Sequence, residues 1–507
     1  MLPEAENIQL EKDELKIEVD GLAELRHTLE SIETKMIEAV RSRSDVMQKL
    51  DTAQRMSFVN LLYYIILRSE DIRDLQNRLH VLGLSSLASS ESHTQSQMTA
   101  ILQRLGRFSR PAERSGFTYQ NAVKDISQKS KSLFGVKTAE AVPYIMVTLD
   151  TSFADDPNLV RELLLSGMNV ARINCAHDEE AVWSKMIDNV HRASEATRLP
   201  CRIYMDLAGP KIRTVLSGKK TKRKGIEIKE GDSIYLTDVA GLDSAGETII
   251  GCSIDGLIPQ LKKGERVMFD DGTIECSIEH IEGNKALLTV IRISRPKPFI
   301  KDEKGINFPD STLTLSSVTD FDMACLPFIS RHADLVGYSF VRSAHDLENL
   351  QDVLAHLRKK DVFIILKIET QAAVKNLPAL LIQGMRDKVF GVMIARGDLA
   401  IEVGFERMSE VQEEILWICE AAHVPVIWAT QVLESLNKSG LATRSEITDA
   451  SYAGAAECIM INKGEHTIRV IETLKDISNR SGSHHIKKRY TFRPLSIAKD
   501  YLSSSGS

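Results

Sequence analysis

The sequence predicts an α/β protein built on a (β/α)8 TIM barrel, with a small antiparallel β-domain inserted after strand 3 and an all-α domain in front. Three observations predict it: two blocks of alternating strand and helix patterns, a block without helices between them, and purely helical periodicity at the start. We divide the chain into a helical N-terminal domain (1–105), a linker (106–142), the first part of the barrel (143–213), the inserted β-domain (214–307), the second part of the barrel (308–480) and a flexible tail (481–507).

The N-terminal segment has the apolar spacing of amphipathic helices. Apolar residues recur every three or four positions over 22–39, 72–82 and 98–105. These stripes predict the core of a small bundle, and the alternative is a face that binds a partner or a second copy. We expect the segment to fold as a separate unit, joined to the barrel by a Ser-, Lys- and Arg-rich stretch that holds one short helix.

The barrel is predicted from short apolar runs that alternate with helical stretches. Continuous apolar runs of this length are typical of parallel strands whose two faces are covered. An open doubly wound sheet is the alternative, but T-L-D-T-S follows the first strand where a dinucleotide fold would need its glycines. The predicted strands are Tyr144–Leu149, Asn169–Ile173, Arg202–Asp206, Leu335–Ser339, Val362–Ile368, Val389–Ile394, Val426–Ala429 and Cys458–Ile461.

The inserted β-domain is predicted from alternating patterns. G-I-E-I-K-E-G-D-S-I-Y-L, E-R-V-M-F-D-D-G-T-I-E-C and K-A-L-L-T-V-I-R-I alternate apolar and polar residues, and Gly and Asp turns separate them. This spacing of two residues favours short antiparallel strands over helices.

Composition and charge limit the function classes. The chain has 507 residues and a net charge of −6, which gives no support to binding of nucleic acid or of a membrane surface. The apolar run Phe58–Leu67 is too short to span a bilayer. The seven cysteines have no CxxC spacing, which favours a reducing cytoplasm over a zinc site or a disulfide framework.

Polar residues stand where the predicted strands end. In a TIM barrel these ends meet at one mouth, where the chemistry takes place. Glu369 and Asp398 could share a Mg²⁺ ion, since hard carboxylate oxygens suit this ion, and the alternative is a set of salt-bridged strand ends. The polar residues at or after strand ends are Arg172, Asn174, Asp206, Lys367, Glu369, Asp398, Thr430 and Glu465.

These groups suit a small molecule that carries phosphate and carboxylate. Arg172 and Lys367 could bind phosphate oxygens. The backbone N–H groups of Ala395, Arg396 and Gly397 could bind a carboxylate. The sequence therefore predicts a site for a phosphorylated acid at the mouth of the barrel.

The motifs G-M-N-V-A-R-I-N-C-A-H, M-D-L-A-G-P-K-I-R-T, K-G-I-N-F-P, I-L-K-I-E, V-M-I-A-R-G-D-L-A-I-E-V and A-T-Q-V-L-E-S resemble those of the pyruvate kinase family, in the same order. The resemblance covers residues 144–479 and includes the inserted β-domain, which is similar to the mobile lid of that family. It does not cover the N-terminal helices. It implies transfer of a phosphoryl group from phosphoenolpyruvate to ADP, giving pyruvate and ATP.

The resemblance also implies roles for individual residues. Lys367, Arg172 and Thr430 would be catalytic, and Glu369 and Asp398 would hold Mg²⁺ or Mn²⁺. Ala395, Arg396, Gly397 and Thr430 would bind phosphoenolpyruvate. Arg213, His177, Lys304 and Asn174 would face the nucleotide. We expect no nucleic-acid or membrane partner, and homo-oligomers could form through the helices or the barrel.

Some positions depart from the family pattern. Ala176 replaces a Ser and Leu207 replaces a Thr that help to hold K⁺ in many members, and Lys211 stands where those members have Glu. The ammonium of Lys211, near Asp206, would substitute for that ion, so K⁺ is predicted not to be required. The chain also ends soon after the barrel, so we expect the C-terminal domain of the family, and its sugar-phosphate activator site, to be absent.

Two other functions stay open at this stage. A Mg²⁺-dependent keto-acid lyase or decarboxylase could use the same carboxylates to stabilise an enolate, without a lid. A non-catalytic regulator could use the barrel as a ligand sensor and the helices as its working surface. The loops after strands 1 and 8 depart from the family pattern, with T-L-D-T (148–151) in place of T-I-G-P and N-K-G-E (462–465) in place of S-G-E-T. These altered loops keep the regulator possible, whereas the retained polar strand ends favour the kinase.

Overall fold

A computed structural model describes residues 4–107, 116–137, 142–217, 224–239, 247–296, 299–357, 361–481, 485–486 and 489–490, with side chains between residues 21 and 480. Most of the predicted tail (481–507) therefore lies outside the described residues. The helices ahead of the barrel are α1 (Glu4–Arg41), α2 (Ser44–Gln48), α3 (Arg55–Ser69), α4 (Arg73–Val81), α5 (Thr94–Arg104) and α6 (Tyr119–Phe134).

The apolar stripes of the N-terminal helices form the core of a bundle, as predicted. Side chains from α1, α4 and α5 pack together with Tyr63 and Leu67 of α3. Leu29, Leu67 and Leu79 are fully buried there. Burial of these stripes stabilises helices that would be marginal in isolation.

The other face of α3 packs on the barrel. Phe58 and Leu61 are fully buried in the hydrophobic core that also contains the barrel strands and their helices. Asn60 Nδ2 donates to the carbonyl of Ala421 at 2.8 Å, and Gln54 Nε2 donates to the carbonyl of Lys388 at 2.8 Å. Helix α3 therefore contributes buried side chains to two cores, that of the bundle and that of the barrel. This packing argues against the expectation of a separately folding helical unit, which stays to be tested by deleting the helices.

The helix α6 closes the base of the barrel. Thr118 caps its N-terminus by accepting a hydrogen bond from the N–H of Asn121. At its other end, Leu133 and Phe134 pack against side chains that the strands direct into the barrel, among them Tyr144. The short helix predicted within the linker (106–142) is therefore part of the barrel's core.

The first part of the barrel alternates strands and helices as predicted. The local sequence explains the helix boundaries. In the helix Pro157–Ser166, Asp156 caps the N-terminus by accepting a hydrogen bond from the N–H of Asn158, and Pro157 occupies the first turn. Gly167 ends this helix with φ +115°. The elements are β1 (Tyr144–Thr148), α7 (Ser152–Asp155), α8 (Pro157–Ser166), β2 (Val170–Asn174), α9 (Glu180–Thr197) and β3 (Arg202–Asp206).

The insertion forms a seven-stranded sheet in the order β12-β8-β9-β10-β6-β7-β4, with a separate pair β11-β5. It is antiparallel except for the parallel pair β6-β7. Its buried residues form a core of their own. Its strands are β4 (Thr214–Val215), β5 (Ile226–Glu227), β6 (Ser233–Thr237), β7 (Ile249–Cys252), β8 (Arg266–Phe269), β9 (Ile274–Glu282), β10 (Lys285–Ile293), β11 (Phe299–Ile300) and β12 (Ile306–Asn307).

Two connections that pair with each other join the insertion to the barrel. Ile306 N donates to the carbonyl of Ile212 at 2.8 Å, and Thr214 N donates to that of Lys304 at 2.8 Å. The predicted boundaries of the insertion, 214 and 307, fall in this paired region. The division of the chain into domains itself stays a prediction.

The second part of the barrel completes a closed ring of eight parallel strands in the order β1-β17-β16-β15-β14-β13-β3-β2, which excludes the open doubly wound sheet. Its elements are α10 (Asp320–His332), β13 (Leu335–Tyr338), α11 (Ala344–Leu357), β14 (Phe363–Ile368), α12 (Gln371–Lys375), α13 (Leu377–Gly384), β15 (Gly391–Ala395), α14 (Arg396–Val403), α15 (Met408–Ala421), β16 (Val426–Ala429), α16 (Glu434–Ser439), α17 (Arg444–Tyr452), β17 (Cys458–Ile461) and α18 (Thr467–Ser481). A short pair, β18 (His485–Ile486) and β19 (Arg489–Tyr490), follows.

Within the described part of the chain, no helix is both long enough and apolar enough to cross a bilayer.

Candidate active site

Three strand ends place a buried charge network at the mouth of the barrel. Arg172 of β2 donates to Asp206 Oδ2 through Nε at 3.0 Å and Nη2 at 2.6 Å. The ammonium of Lys367 on β14 lies 3.3 Å from the same oxygen and 3.0 Å from Glu369 Oε1. It also donates to Ser339 Oγ at 2.7 Å. The predicted residues of strands 2, 3 and 5 therefore meet in one cluster.

Burial and mutual charge set the protonation states of this cluster. Burial alone would raise the pKa of Asp206, but Lys367 and Arg172 outweigh it and hold that pKa below its usual value. Burial would likewise lower the pKa of Lys367, yet Asp206 and Glu369 raise it. Asp206 is therefore a carboxylate and Lys367 an ammonium at neutral pH, and each is held in place by the other.

Glu369 and Asp398 form the predicted metal pair. Burial and the negative charge of Asp398 raise the pKa of Glu369, although Lys367 acts in the opposite direction. Glu369 Oε2 accepts a hydrogen bond from the N–H of Phe340 at 2.6 Å. Asp398 accepts two bonds from Lys211 Nζ, at 2.9 and 3.1 Å. Two neighbouring carboxylates whose charges disfavour each other fit a hard divalent cation.

The described residues contain no group of three or more His, Cys, Asp or Glu side chains arranged to hold a metal ion. A site on Glu369 and Asp398 would therefore rely on water and substrate oxygens for its other ligands. This is the usual arrangement for Mg²⁺, which keeps several waters and takes one or two carboxylates from the protein.

The start of α14 forms the wall beside this pair. The side chain of Arg396 is engaged by its neighbours: Nε donates to the carbonyl of Ala429 at 2.9 Å, and Nη2 donates to that of Thr430 at 2.5 Å. The guanidinium also pairs with Asp449 and stacks 4.6 Å from the ring centre of Trp428. These contacts hold the strand end that carries Thr430 against the start of α14. The first N–H groups of a helix have no intrahelical partner, so they are available to an anion.

Thr430 lies over the start of α14. A Cβ added to Gly397 would lie 3.1 Å from Cγ2 of Thr430, so the glycine permits this close approach. Thr430 and Gln431 both have positive φ, +70° and +56°. Non-glycine residues rarely adopt this conformation, and such strain is concentrated at functional sites.

The predicted nucleotide residues are only partly brought together. His177 is exposed, but neighbouring atoms exclude part of the water around its ring. This partial desolvation and the nearby cations Lys463 and Arg213 lower its pKa. Lys304 instead pairs with Asp270 of the insertion at 3.1 Å. Asn174 accepts a hydrogen bond from the N–H of Ala176 at 3.1 Å within its own turn.

The two residues predicted to substitute for K⁺ have different ion-pair partners. Lys211 bonds Asp398, whereas Asp206 bonds Arg172 and Lys367. Lys211 is therefore directed into the mouth, though onto a different carboxylate from the one expected.

Sequence reasoning missed three supporting residues. Thr148 Oγ1 accepts from Arg172 Nη1 at 2.9 Å, and Ser339 holds Lys367. Both stand at strand ends, so the rule that found the other site residues would also have found them. Tyr204 donates to Asp206 Oδ1 at 2.8 Å from inside β3, where it resembles any buried aromatic residue in the sequence.

The chain was compared with known proteins. A family model described as "Pyruvate kinase, barrel domain" matches residues 143–467. Pyruvate kinase of Clostridium perfringens is 31% identical over 356 residues, which cover 68% of this chain and 70% of that protein. The Dictyostelium discoideum enzyme is 32% identical over 343 residues (66% and 65%), and that of Staphylococcus saprophyticus is 28% identical over 336 residues (64% and 54%). The chain thus spans between about half and about two thirds of these relatives.

Proposed function

The chain belongs to the pyruvate kinase family, and from this we propose that it transfers the phosphoryl group of phosphoenolpyruvate to ADP, giving pyruvate and ATP. One observation carries the proposal beyond family membership. Arg172 and Lys367, two buried cations from different strands, share the carboxylate of Asp206 at the mouth of the barrel. Such a fixed pair of cations suits a phosphoryl group in transit between two oxygens.

Lys367 would stabilise the phosphoryl group during transfer. Loose transition states of phosphoryl transfer need charge stabilisation more than covalent help from the protein. Three oxygens, from Asp206, Glu369 and Ser339, already fix the ammonium, so little reorganisation is required when the charge moves. Arg172, held by Asp206 and Thr148, would bind the phosphate and fix its direction.

Glu369 and Asp398 would hold Mg²⁺ or Mn²⁺. The bound ion would supply Lewis-acid stabilisation of substrate oxygens. The backbone N–H groups of Ala395, Arg396 and Gly397 would bind the carboxylate of the substrate. Thr430 would lie near the carbon that is protonated as pyruvate forms.

The nucleotide would enter between the barrel and the insertion. Arg213 and His177 lie close together on the barrel side, and Lys463 adds a second cation there. Lys304 lies on the return connection from the insertion and faces Asp270. We propose that the insertion closes over the bound substrates as a lid and excludes water, which would otherwise accept the phosphoryl group.

The other predictions from the sequence also enter the proposal. They are activity without K⁺, a cytoplasmic location, and assembly into homo-oligomers through the helices or the barrel. Size measurements on the purified chain at several concentrations would test the assembly.

The deciding experiment is a coupled assay for ATP. Purified protein is mixed with phosphoenolpyruvate, ADP and Mg²⁺, in K⁺ buffer and in Na⁺ buffer, and ATP and pyruvate are both measured. We expect equal amounts of the two products, at similar rates in both buffers. A folded protein that forms no ATP would contradict the proposal, and pyruvate without ATP would indicate lyase or hydrolase chemistry instead.

A further inference from the structure

Lys211 connects the base of the insertion to the proposed metal site. It lies between β3 and β4, on the first of the two paired connections. Its side chain crosses the buried Gly305 of the return connection, where an added Cβ would lie 3.2 Å from Lys211 Cε. Its ammonium ends at both oxygens of Asp398, at 2.9 and 3.1 Å. The absence of a side chain at position 305 leaves room for this path.

Each carboxylate of this cluster already has a cation of the chain as its partner. The cations Arg172, Lys367 and Lys211 face the carboxylates Asp206, Glu369 and Asp398 through direct ion pairs. A divalent cation that entered this cluster would therefore find both oxygens of Asp398 occupied by the ammonium of Lys211.

We infer that Lys211 competes with the divalent cation for Asp398. The inference rests on the proposed function only in taking Asp398 as a metal ligand. The ion binds weakly while Lys211 stays on the carboxylate, and tightly once Lys211 moves off or an anionic substrate adds negative charge. Lys211 thus acts as a positioning residue that couples metal binding to substrate binding, because two cations on one carboxylate repel each other.

The test measures Mn²⁺ binding without substrate, by titration calorimetry and by the electron paramagnetic resonance signal of free Mn²⁺. We expect Lys211→Gln to bind Mn²⁺ about tenfold more tightly than the wild-type chain, and Lys211→Arg, which keeps the charge, to show no such gain. Lys301→Gln is the matched control, since it removes the same charge from an exposed position on the return connection. Equal or weaker binding by Lys211→Gln would overturn the inference.

A second measurement needs no variant. Amines of the wild-type chain are labelled with acetic anhydride, and the modification of Lys211 is followed by peptide mass spectrometry with and without saturating Mn²⁺. We expect labelling of Lys211 to rise several-fold with Mn²⁺, because the ion releases the amine from Asp398. A labelling rate that Mn²⁺ does not change would contradict competition.

Asp398→Asn separates failure of this inference from failure of the proposed function. If this variant loses Mn²⁺ binding while Lys211→Gln binds like wild type, the metal site stands and only the competition is wrong. If Asp398→Asn binds Mn²⁺ as tightly as wild type, the metal does not use Asp398, and the site in the proposed function is wrong as well.

Discussion

The two extensions of the barrel, the N-terminal helices and the insertion, are attached in different ways. The helix α3 places Phe58 and Leu61 in the barrel's own core, and α6 fills the base of the barrel with Leu133 and Phe134. The insertion keeps a separate core and is joined through one pair of connections. Because α3 and α6 enter the barrel's core, we expect the helices to unfold together with the barrel, whereas the separate core of the insertion would permit it to move as one body.

The polar contacts at the two junctions with the barrel also differ in how deeply they are buried. At the junction of helices and barrel, His423 is fully buried and bonds Ser57 Oγ at 3.1 Å and the carbonyl of Ser92 at 2.8 Å. Lys129 is also buried there and donates to Ser57. Between the insertion and the barrel, Asn307 Nδ2 donates to Glu402 Oε1 at 3.4 Å, and Lys211 on the first connection pairs with Asp398. These contacts are only partly buried, so we expect them to resist separation less than the buried network does.

The largest difference in thermal unfolding should appear when each extension is deleted in turn. A chain that begins at residue 139 should lose its cooperative thermal transition, because the barrel would lose its base and expose the surface that α3 covers. A chain in which a short Gly-rich turn replaces residues 216–302 should still melt cooperatively, since Thr214 and Glu303 already pair. Circular dichroism melting of both proteins checks this. A folded chain from residue 139 would restore the idea of a separate helical unit.

A change in the charge network should lower catalysis strongly and stability to a smaller degree. Lys367→Met should lower kcat by roughly 10²–10³ or more, since it removes one preorganised cation from the transition state. Its melting temperature should also fall, because the buried carboxylates Asp206 and Glu369 lose a cation that compensates their charge, a loss of about 3–5 kcal/mol. The coupled assay for ATP and a melting curve measure the two effects. Near-normal turnover would remove Lys367 from the mechanism.

Matched core truncations should separate the two extensions. Phe58→Ala should destabilise the helices and the barrel together by about 3–5 kcal/mol, and Leu288→Ala in the core of the insertion should cost about 2–5 kcal/mol in the insertion only. Hydrogen exchange followed by mass spectrometry reports which segments lose protection. If Phe58→Ala left the barrel strands protected, or Leu288→Ala exposed them, the contrast between the two attachments would be lost.

The smallest expected effect is on the pH dependence of folding stability. Burial and the charge of Lys129 lower the pKa of His423 to about 4 from an unfolded value near 6.5, with Asp125 and Glu420 acting in the opposite direction. Because the folded state binds the proton less well, stability present above pH 6.5 is lost as the pH falls towards 4, by about 2 kcal/mol at pH 5. His423→Gln should weaken this dependence in urea unfolding at pH 7 and pH 5. His345→Gln, at an exposed position, should leave it unchanged.

The sequence predicted the barrel and the charged strand ends because both depend on local patterns. Buried strands are apolar throughout, and the polar residue that ends each one marks the mouth, so Arg172, Lys367 and Glu369 could be found without coordinates. The partner of Lys211 could not be found, because it depends on how the connection crosses Gly305 to reach α14. The docking of α3 was missed for a related reason: a helix that is apolar on two faces does not reveal which neighbour covers the second face.

The packing of α6 into the base of the barrel has a consequence for folding during synthesis on the ribosome. The ribosome releases Leu133 and Phe134 before any strand, yet their partners include Cys458 and Met460 of the last one. Until β17 emerges, the ring stays open and both side chains lack part of their cover. The nascent chain therefore carries an unfinished apolar base through most of its synthesis, a state that chaperones bind and that favours aggregation at high concentration.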